Sequence, residues 1–134
     1  MESQRRSEIN DSEKLNLISE KVIGCAYTVS NTLGCGFLEK VYENAMMIEL
    51  KRQGLNAKQQ EPIKVFYSNE IVGEYFTDIL VENFIILELK AAKNIDEVHM
   101  AQIMNYLKAT GLKLGLIINF GKPRVEIKRM ANGL

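Results

Sequence analysis

The chain has 134 residues, 46% of them hydrophobic and 25% charged, with 17 basic residues balanced by 17 acidic ones. That length forms one domain that buries roughly two thirds of its unfolded surface, and the absence of net charge leaves any polyanion partner to be held by a local patch. Cys25 and Cys35 form no CxxC pair and join no Cys/His cluster, which argues against zinc or a disulfide scaffold and for reduced thiols.

The polar start, MESQRRSEINDSEK, lacks the apolar stretch of a secretory signal, and runs such as GLIIN are too short to span a bilayer. The expected location is therefore cytoplasmic. Residues 1–10 are expected to be a flexible polar N-terminus, with residues 11–134 forming the single domain. A helical pattern begins near Ser12, a candidate N-cap, and carries Leu15, Ile18, Val22, Ala26, Val29 and Leu33 at spacings of three and four before Gly34 stops it. A second helix is expected from Leu38 to Gln53, with Leu38, Val41, Ala45 and Ile48 on its apolar face and Gly54 as terminator. The period then changes to that of strands. PIKVFY and IVGEYFTDILV flank the turn cluster Ser68-Asn69-Glu70, and FIILELK follows Glu82-Asn83 as a third strand. A helix from Ile95 to Thr110 ends at Gly111, and KLGLIINFG and RVEIKRM form two strands joined across Gly121-Lys122-Pro123. The order is ααβββαββ.

Charges interrupt the apolar strands at Asp78, Glu88 and Lys90. Side chains two apart on a strand share a face, so Phe84, Ile86, Glu88 and Lys90 point one way, and Ile85, Leu87 and Leu89 the other. An isolated ExK is ordinarily a surface ion pair worth ~0–1 kcal/mol. Phe84 and Ile86 on the same face imply that this one is covered, where an uncompensated carboxylate costs several kcal/mol. A hard divalent cation, Mg²⁺ or Mn²⁺, would hold both carboxylates ionised through oxygen ligands, with Lys90 free to meet a water or a phosphate.

An Asp on one strand followed by Glu-x-Lys on the next resembles the PD-(D/E)xK nuclease superfamily. GFLEKVY, from Gly36 to Tyr42, is similar to the GxxExxY signature of a small bacterial family assigned to that fold. VYENAMMIEL, ILELKA, AQIMNYLKATG and GLIINFG follow in the family's order, so the resemblance covers residues 15–130. It implies a restriction-endonuclease-like α/β core, with a mixed central sheet flanked by helices, and a metal-dependent phosphodiesterase acting on DNA or RNA. It further implies that Asp78 and Glu88 bind the metal, with the Leu89 carbonyl as a further ligand, and that Glu39 is the assisting helix carboxylate. Lys90 would orient or deprotonate the attacking water. Gln102 and Tyr106 resemble the QxxxY pair of the RecB-like exonuclease branch. Thr77 stands where the motif's proline would precede Asp78.

The residues alone say less about several of these positions. Glu39 in a first helical turn is favoured by the macrodipole whatever its function, and Gln102 and Tyr106, four apart on a helix, share a face as many surface pairs do. His99, the single histidine, reads as a surface residue. Lys90, Lys93, Lys108, Lys113, Lys122, Arg124, Lys128 and Arg129 all fall late in the chain and could form a basic face. The alternative to a nuclease is a nucleic-acid-binding or assembly module that keeps the fold without turnover, as a subunit of a defence or repair complex. A homodimer is compatible with so small a nuclease. Register provides a geometric condition. A two-residue turn at Glu82-Asn83 pairs Asp78 with Leu87 and sends Asp78 to the wrong face. A three-residue loop over Glu82 to Phe84, or a bulge, pairs Val81 with Ile85 and Asp78 with Glu88.

Overall fold

Two helices built on the periodic apolar residues of the first third of the chain cover one face of a five-stranded sheet, and one later helix covers the other. The computed structural model describes residues 2–133, and side chains from Ser12 to Gly133. The elements are α1 (Glu2–Leu33), α2 (Glu39–Arg52), β1 (Ala57–Tyr67), β2 (Glu70–Val81), β3 (Ile85–Lys90), α3 (Glu97–Thr110), β4 (Leu114–Asn119) and β5 (Glu126–Ala131). The order is the expected ααβββαββ. The strands lie in the order β1-β2-β3-β4-β5, antiparallel except for the β3–β4 pair, which α3 connects as a parallel crossover.

Ile18, Val22, Cys25, Ala26 and Val29 of α1 pack against Ile79, Val81, Ile85, Leu87 and Leu89 of β2 and β3 and Leu114, Leu116 and Ile118 of β4. On the opposite face Ile63, Ile86 and Ile117 pack under Ile103, Tyr106 and Leu107 of α3. β4 is buried along its whole length, as a parallel strand covered on both faces must be. Gly115 lets α3 approach, since a Cβ there would stand 2.7 Å from Ile103 Cδ1.

Four expectations need correction. α1 starts at Glu2, so Ser12 lies inside the helix and is no cap. The residues before it include the good helix formers Glu, Gln and Arg and no Gly or Pro. The flexibility expected of residues 1–10 concerns side chains outside the described residues. The buried stripe of α2 is Tyr42, Met46 and Leu50, whereas Leu38, Val41 and Ile48 are exposed. Apolar residues occupy two faces of that helix, and the large aromatic Tyr42, stacked on Phe120 with centroids 4.6 Å apart, decides which one turns inward. β1 begins at Ala57, five residues before PIKVFY, because an edge strand tolerates the polar AKQQE that hides it. His99 is partly buried, and its Nδ1 accepts the Asp96 N–H while its own backbone N–H donates to Asp96 Oδ1, a reciprocal cap at the start of α3.

Candidate active site at the β2–β3 opening

Val81 pairs with Ile85, Leu80 with Ile86 and Ile79 with Leu87. The connection is therefore the three-residue loop Glu82-Asn83-Phe84. Glu82 and Asn83 adopt φ of 54° and 59°, and the Phe84 N–H donates to the Val81 carbonyl at 3.0 Å. The next position in this register sets Asp78 against Glu88. Alternation puts both on the α3 side, with Leu80 and Ile86.

The backbone ladder stops there, and side chains replace it. Glu88 Oε2 accepts the Asp78 N–H at 2.9 Å, and Asp78 Oδ2 accepts the Leu89 N–H at 2.7 Å. Thr77 Oγ1 lies 3.1 Å from the same Glu88 oxygen and 3.3 Å from the Leu87 carbonyl. Each carboxylate thus satisfies the opposite strand with one oxygen; the second Asp78 oxygen meets only Gln60 Nε2, at 3.5 Å, and the second Glu88 oxygen meets no described donor. No fully buried side-chain oxygen or nitrogen among the described residues lacks a partner. The remaining Glu88 oxygen, to which no described residue donates, therefore keeps contact with solvent. Both backbone groups of a strand residue point to one edge, so the Leu89 carbonyl, like its N–H, faces the opening.

Glu88 is only 5% exposed, and burial, then the charge of Asp78, pushes its carboxyl up to about 7. The Asp78 N–H, Lys90 and Thr77 resist that rise without cancelling it. Burial, then the charge of Glu43, raises Asp78 above the usual carboxylate range, opposed by the Leu89 N–H, Lys90 and Gln60. Lys90 is half-buried, and among the described residues it joins none of the ion pairs. Two acids are therefore held close together with too little positive charge to ionise both easily.

The helix carboxylates divide. Glu39 is exposed in the first turn of α2, and no described residue bonds it to Asp78 or Glu88. Glu43, one turn further, is buried and accepts from Lys40 Nζ at 2.7 Å, Gln59 Nε2 at 2.6 Å and Gln60 Nε2 at 2.9 Å. Gln60 Nε2 also stands 3.5 Å from Asp78 Oδ1, linking the two acids. Sequence reasoning missed Glu43, and the signal that could have found it is helical phase: it adjoins Tyr42 on the stripe that turns inward. Tyr42 itself fixes the α1–α2 connection, its hydroxyl donating to the Gly34 carbonyl at 2.7 Å and accepting the Phe37 N–H at 3.2 Å.

From α3, Tyr106 is buried, and the Gln102 side chain one turn before it lines a cleft together with it. Burial, then the charges of Glu88 and Asp78, raises the Tyr106 hydroxyl above its ordinary range, and Tyr106 packs with Ile86 on the sheet face that carries both carboxylates. Sequence reasoning also missed Tyr75, whose ring centroid lies 5.6 Å from that of Tyr106.

All the acidic donors are oxygens, and Asp78 and Glu88 each keep one free of the backbone, so the donor set suits a hard divalent cation. Among the described residues, no group of three or more His, Cys, Asp or Glu is arranged to hold a metal ion, so Glu43 and the two strand acids do not yet form a closed ligand shell.

A family model described as the PD-(D/E)XK nuclease superfamily matches residues 16–130. No curated protein matches the chain. Among solved structures, the one titled "Crystal structure of SSO0001" superposes with a TM-score of 0.55 at 18% identity, covering 97% of this chain and 62% of that one. The chain thus spans less than two thirds of that protein, and at such identity the likeness concerns the fold.

Proposed function

The chain belongs to the PD-(D/E)XK nuclease superfamily, and on that premise we propose that it is a metal-dependent phosphodiesterase that hydrolyses DNA or RNA at the β2–β3 opening. One observation carries the reading: Asp78 and Glu88 meet where the β2–β3 pairing ends, each with its second oxygen free of the backbone. Asp78 and Glu88 would hold Mg²⁺ or Mn²⁺, with the Leu89 carbonyl facing the same space and Glu43, rather than the exposed Glu39, behind Asp78 through Gln60. When bound, such an ion lowers the pKa of its water and neutralises charge on the scissile phosphate. Lys90, following Glu88 on the same face, orients or deprotonates the attacking water. Gln102 and Tyr106 fix the phosphate from the α3 side, Tyr106 as a hydrogen-bond donor because its proton is held tightly. The location proposed with this activity is cytoplasmic. No helix among the described residues is long and apolar enough to cross a membrane.

The test is cleavage of labelled single-stranded, duplex and structured DNA and RNA in Mg²⁺, Mn²⁺ or EDTA. Hydrolysis that requires the ion and vanishes in Glu88→Gln supports the reading. Equal cleavage in EDTA, or none on any substrate, overturns it.

A further inference from the structure

A cleft of about 650 Å³ opens between the β1–β2 hairpin and α3. Val65 and Tyr75 form one wall, and α3 forms the other with Ala101, Gln102, Asn105 and Tyr106. Its volume falls within the roughly 300–1,000 Å³ typical of sites that enclose a small ligand. The lining combines three chemistries in a definite arrangement. Small aliphatic side chains and an aromatic ring give flat apolar walls. Two amides, Gln102 and Asn105, stand one turn apart on α3 and offer both donors and acceptors. Lys108 adds a cation at the rim.

Tyr75 is the feature that selects among occupants. It is half-exposed, and its ring is tilted 43° from that of Tyr106, so one face remains open to the cleft instead of being spent in a stacked pair. Tyr106 belongs to both places at once: it lines the cleft and also packs with Ile86 on the sheet face that carries Asp78 and Glu88. A ligand resting on Tyr75 is therefore connected to whatever the carboxylates act on. A planar aromatic heterocycle with polar edges, attached to an anionic backbone, meets all these conditions, and a helix or an acyl chain would leave the amides unpaired.

We infer that this cleft receives an unpaired nucleobase of the strand being cut, stacked on Tyr75 with its edge toward Gln102 and Asn105 and a neighbouring phosphate at Lys108. The inference rests on the nuclease reading above and adds to it the substrate class: strands with at least one base free of its complement next to the cut. A base held in a duplex cannot enter, because its faces are covered by neighbouring base pairs. DNA and RNA both supply such a base.

The experiment uses DNA and RNA oligonucleotides carrying 2-aminopurine at successive positions, bound to the full chain with Ca²⁺ in place of Mg²⁺. Stacking on an aromatic ring quenches this base, so a position-dependent quench is expected in single strands and none in the matching duplex. Tyr75→Ala should abolish the quench and weaken binding by about 5- to 150-fold, the range expected for truncating a base-stacking aromatic to alanine. Tyr75→Phe should restore both, which separates stacking from any general damage to the hairpin. An abasic nucleotide at the quenched position should cost wild-type protein as much as Tyr75→Ala does, with little added loss when the two are combined. Additive losses, equal binding of duplex, or a quench that survives Tyr75→Ala would overturn the inference and leave the cleft to an occupant other than a base. Cleavage in Mn²⁺, measured on the same oligonucleotides, reports on the nuclease reading separately: it can succeed with no quench, or fail while the quench persists.

Discussion

Replacing Glu88 by glutamine removes one charge from the β2–β3 opening and almost nothing else. The amide oxygen can still accept the Asp78 N–H that Glu88 Oε2 holds at 2.9 Å. In the metal-free protein the carboxyl sits at about 7 against an ordinary 4.5. Between those two values the folded state binds more protons than the unfolded chain, so stability must fall as pH rises through the window and stay low above it. Each pH unit across that window costs about 1.4 kcal/mol, so ionising Glu88 in place costs about 3 kcal/mol by pH 8. Glutamine avoids this cost and relieves Asp78 of the same repulsion. Glu88→Gln should therefore match wild type near pH 4.5 in EDTA and exceed it at pH 8 by about 3 kcal/mol, a melting-temperature gain on the order of 10 °C. Urea and thermal denaturation of both proteins across that range provide the measurement, and taking their difference cancels the other titrating groups. Adding Mn²⁺ at pH 8 should raise wild type and leave the variant unmoved. A variant less stable than wild type at pH 8, or a difference that does not change with pH, would refute the buried, under-compensated acid pair on which the site depends.

Lys90→Ala should lower the cleavage rate by roughly 10²- to 10⁴-fold while calorimetry shows metal binding largely kept. Loss of metal instead would make Lys90 a partner of Glu88 rather than of the water. Gln60 carries φ of 51°, which glycine adopts freely, so Gln60→Gly should keep the fold but break the amide link between Glu43 and Asp78 and cost about 10- to 100-fold in activity or metal affinity. Unchanged kinetics would remove Glu43 from the site. Binding of oligonucleotides should weaken as salt rises from low to moderate concentration although the chain is neutral, and a flat response would favour a protein partner. A Cβ at Gly121 would stand 2.2 Å from the Ala92 carbonyl oxygen, so Gly121→Ala should destabilise by at least about 1–3 kcal/mol in a urea titration, and wild-type stability would show that the β3–α3 segment moves freely.

The fold was legible where one period dominates a segment. α1 buries the residues its spacing of three and four selects, and β3 and β4 read as continuous apolar runs because helices cover both faces of the sheet. It was obscure where two signals compete. Leu38, Val41 and Ile48 form as good a stripe on paper as Tyr42, Met46 and Leu50, and only the tertiary contact of Tyr42 with Phe120 separates them. The motif resemblance points to Glu39, which is exposed, and the buried Glu43 one turn further comes to notice only once the inward-facing stripe is known. AKQQE could not be recognised as strand because its pairing partners are supplied by β2 and its polar side chains carry no alternating apolar pattern. Tyr75 could not be connected with Gln102 and Tyr106 from the sequence at all, since hairpin and helix meet only after the sheet has formed.

The strand acids were legible for a different reason, one that concerns the backbone more than the chemistry of cleavage. A charge in an apolar strand is costly unless something there needs it, and β2 and β3 do. Where the β2–β3 pairing ends after Ile79 and Leu87, and the β1–β2 register passes over Gln60 and Asp78, the N–H groups of Asp78 and Leu89 are left to side-chain acceptors. Apolar side chains at 78 and 88 would leave those donors unpaired at about 1–3 kcal/mol each. Each carboxylate instead accepts the opposite strand's N–H, so the strands separate without losing hydrogen bonds. The separation is what exposes the second oxygen of each acid. The same two residues therefore end the sheet and create the site, so their charge marks both the boundary of the fold and the place where function is to be sought.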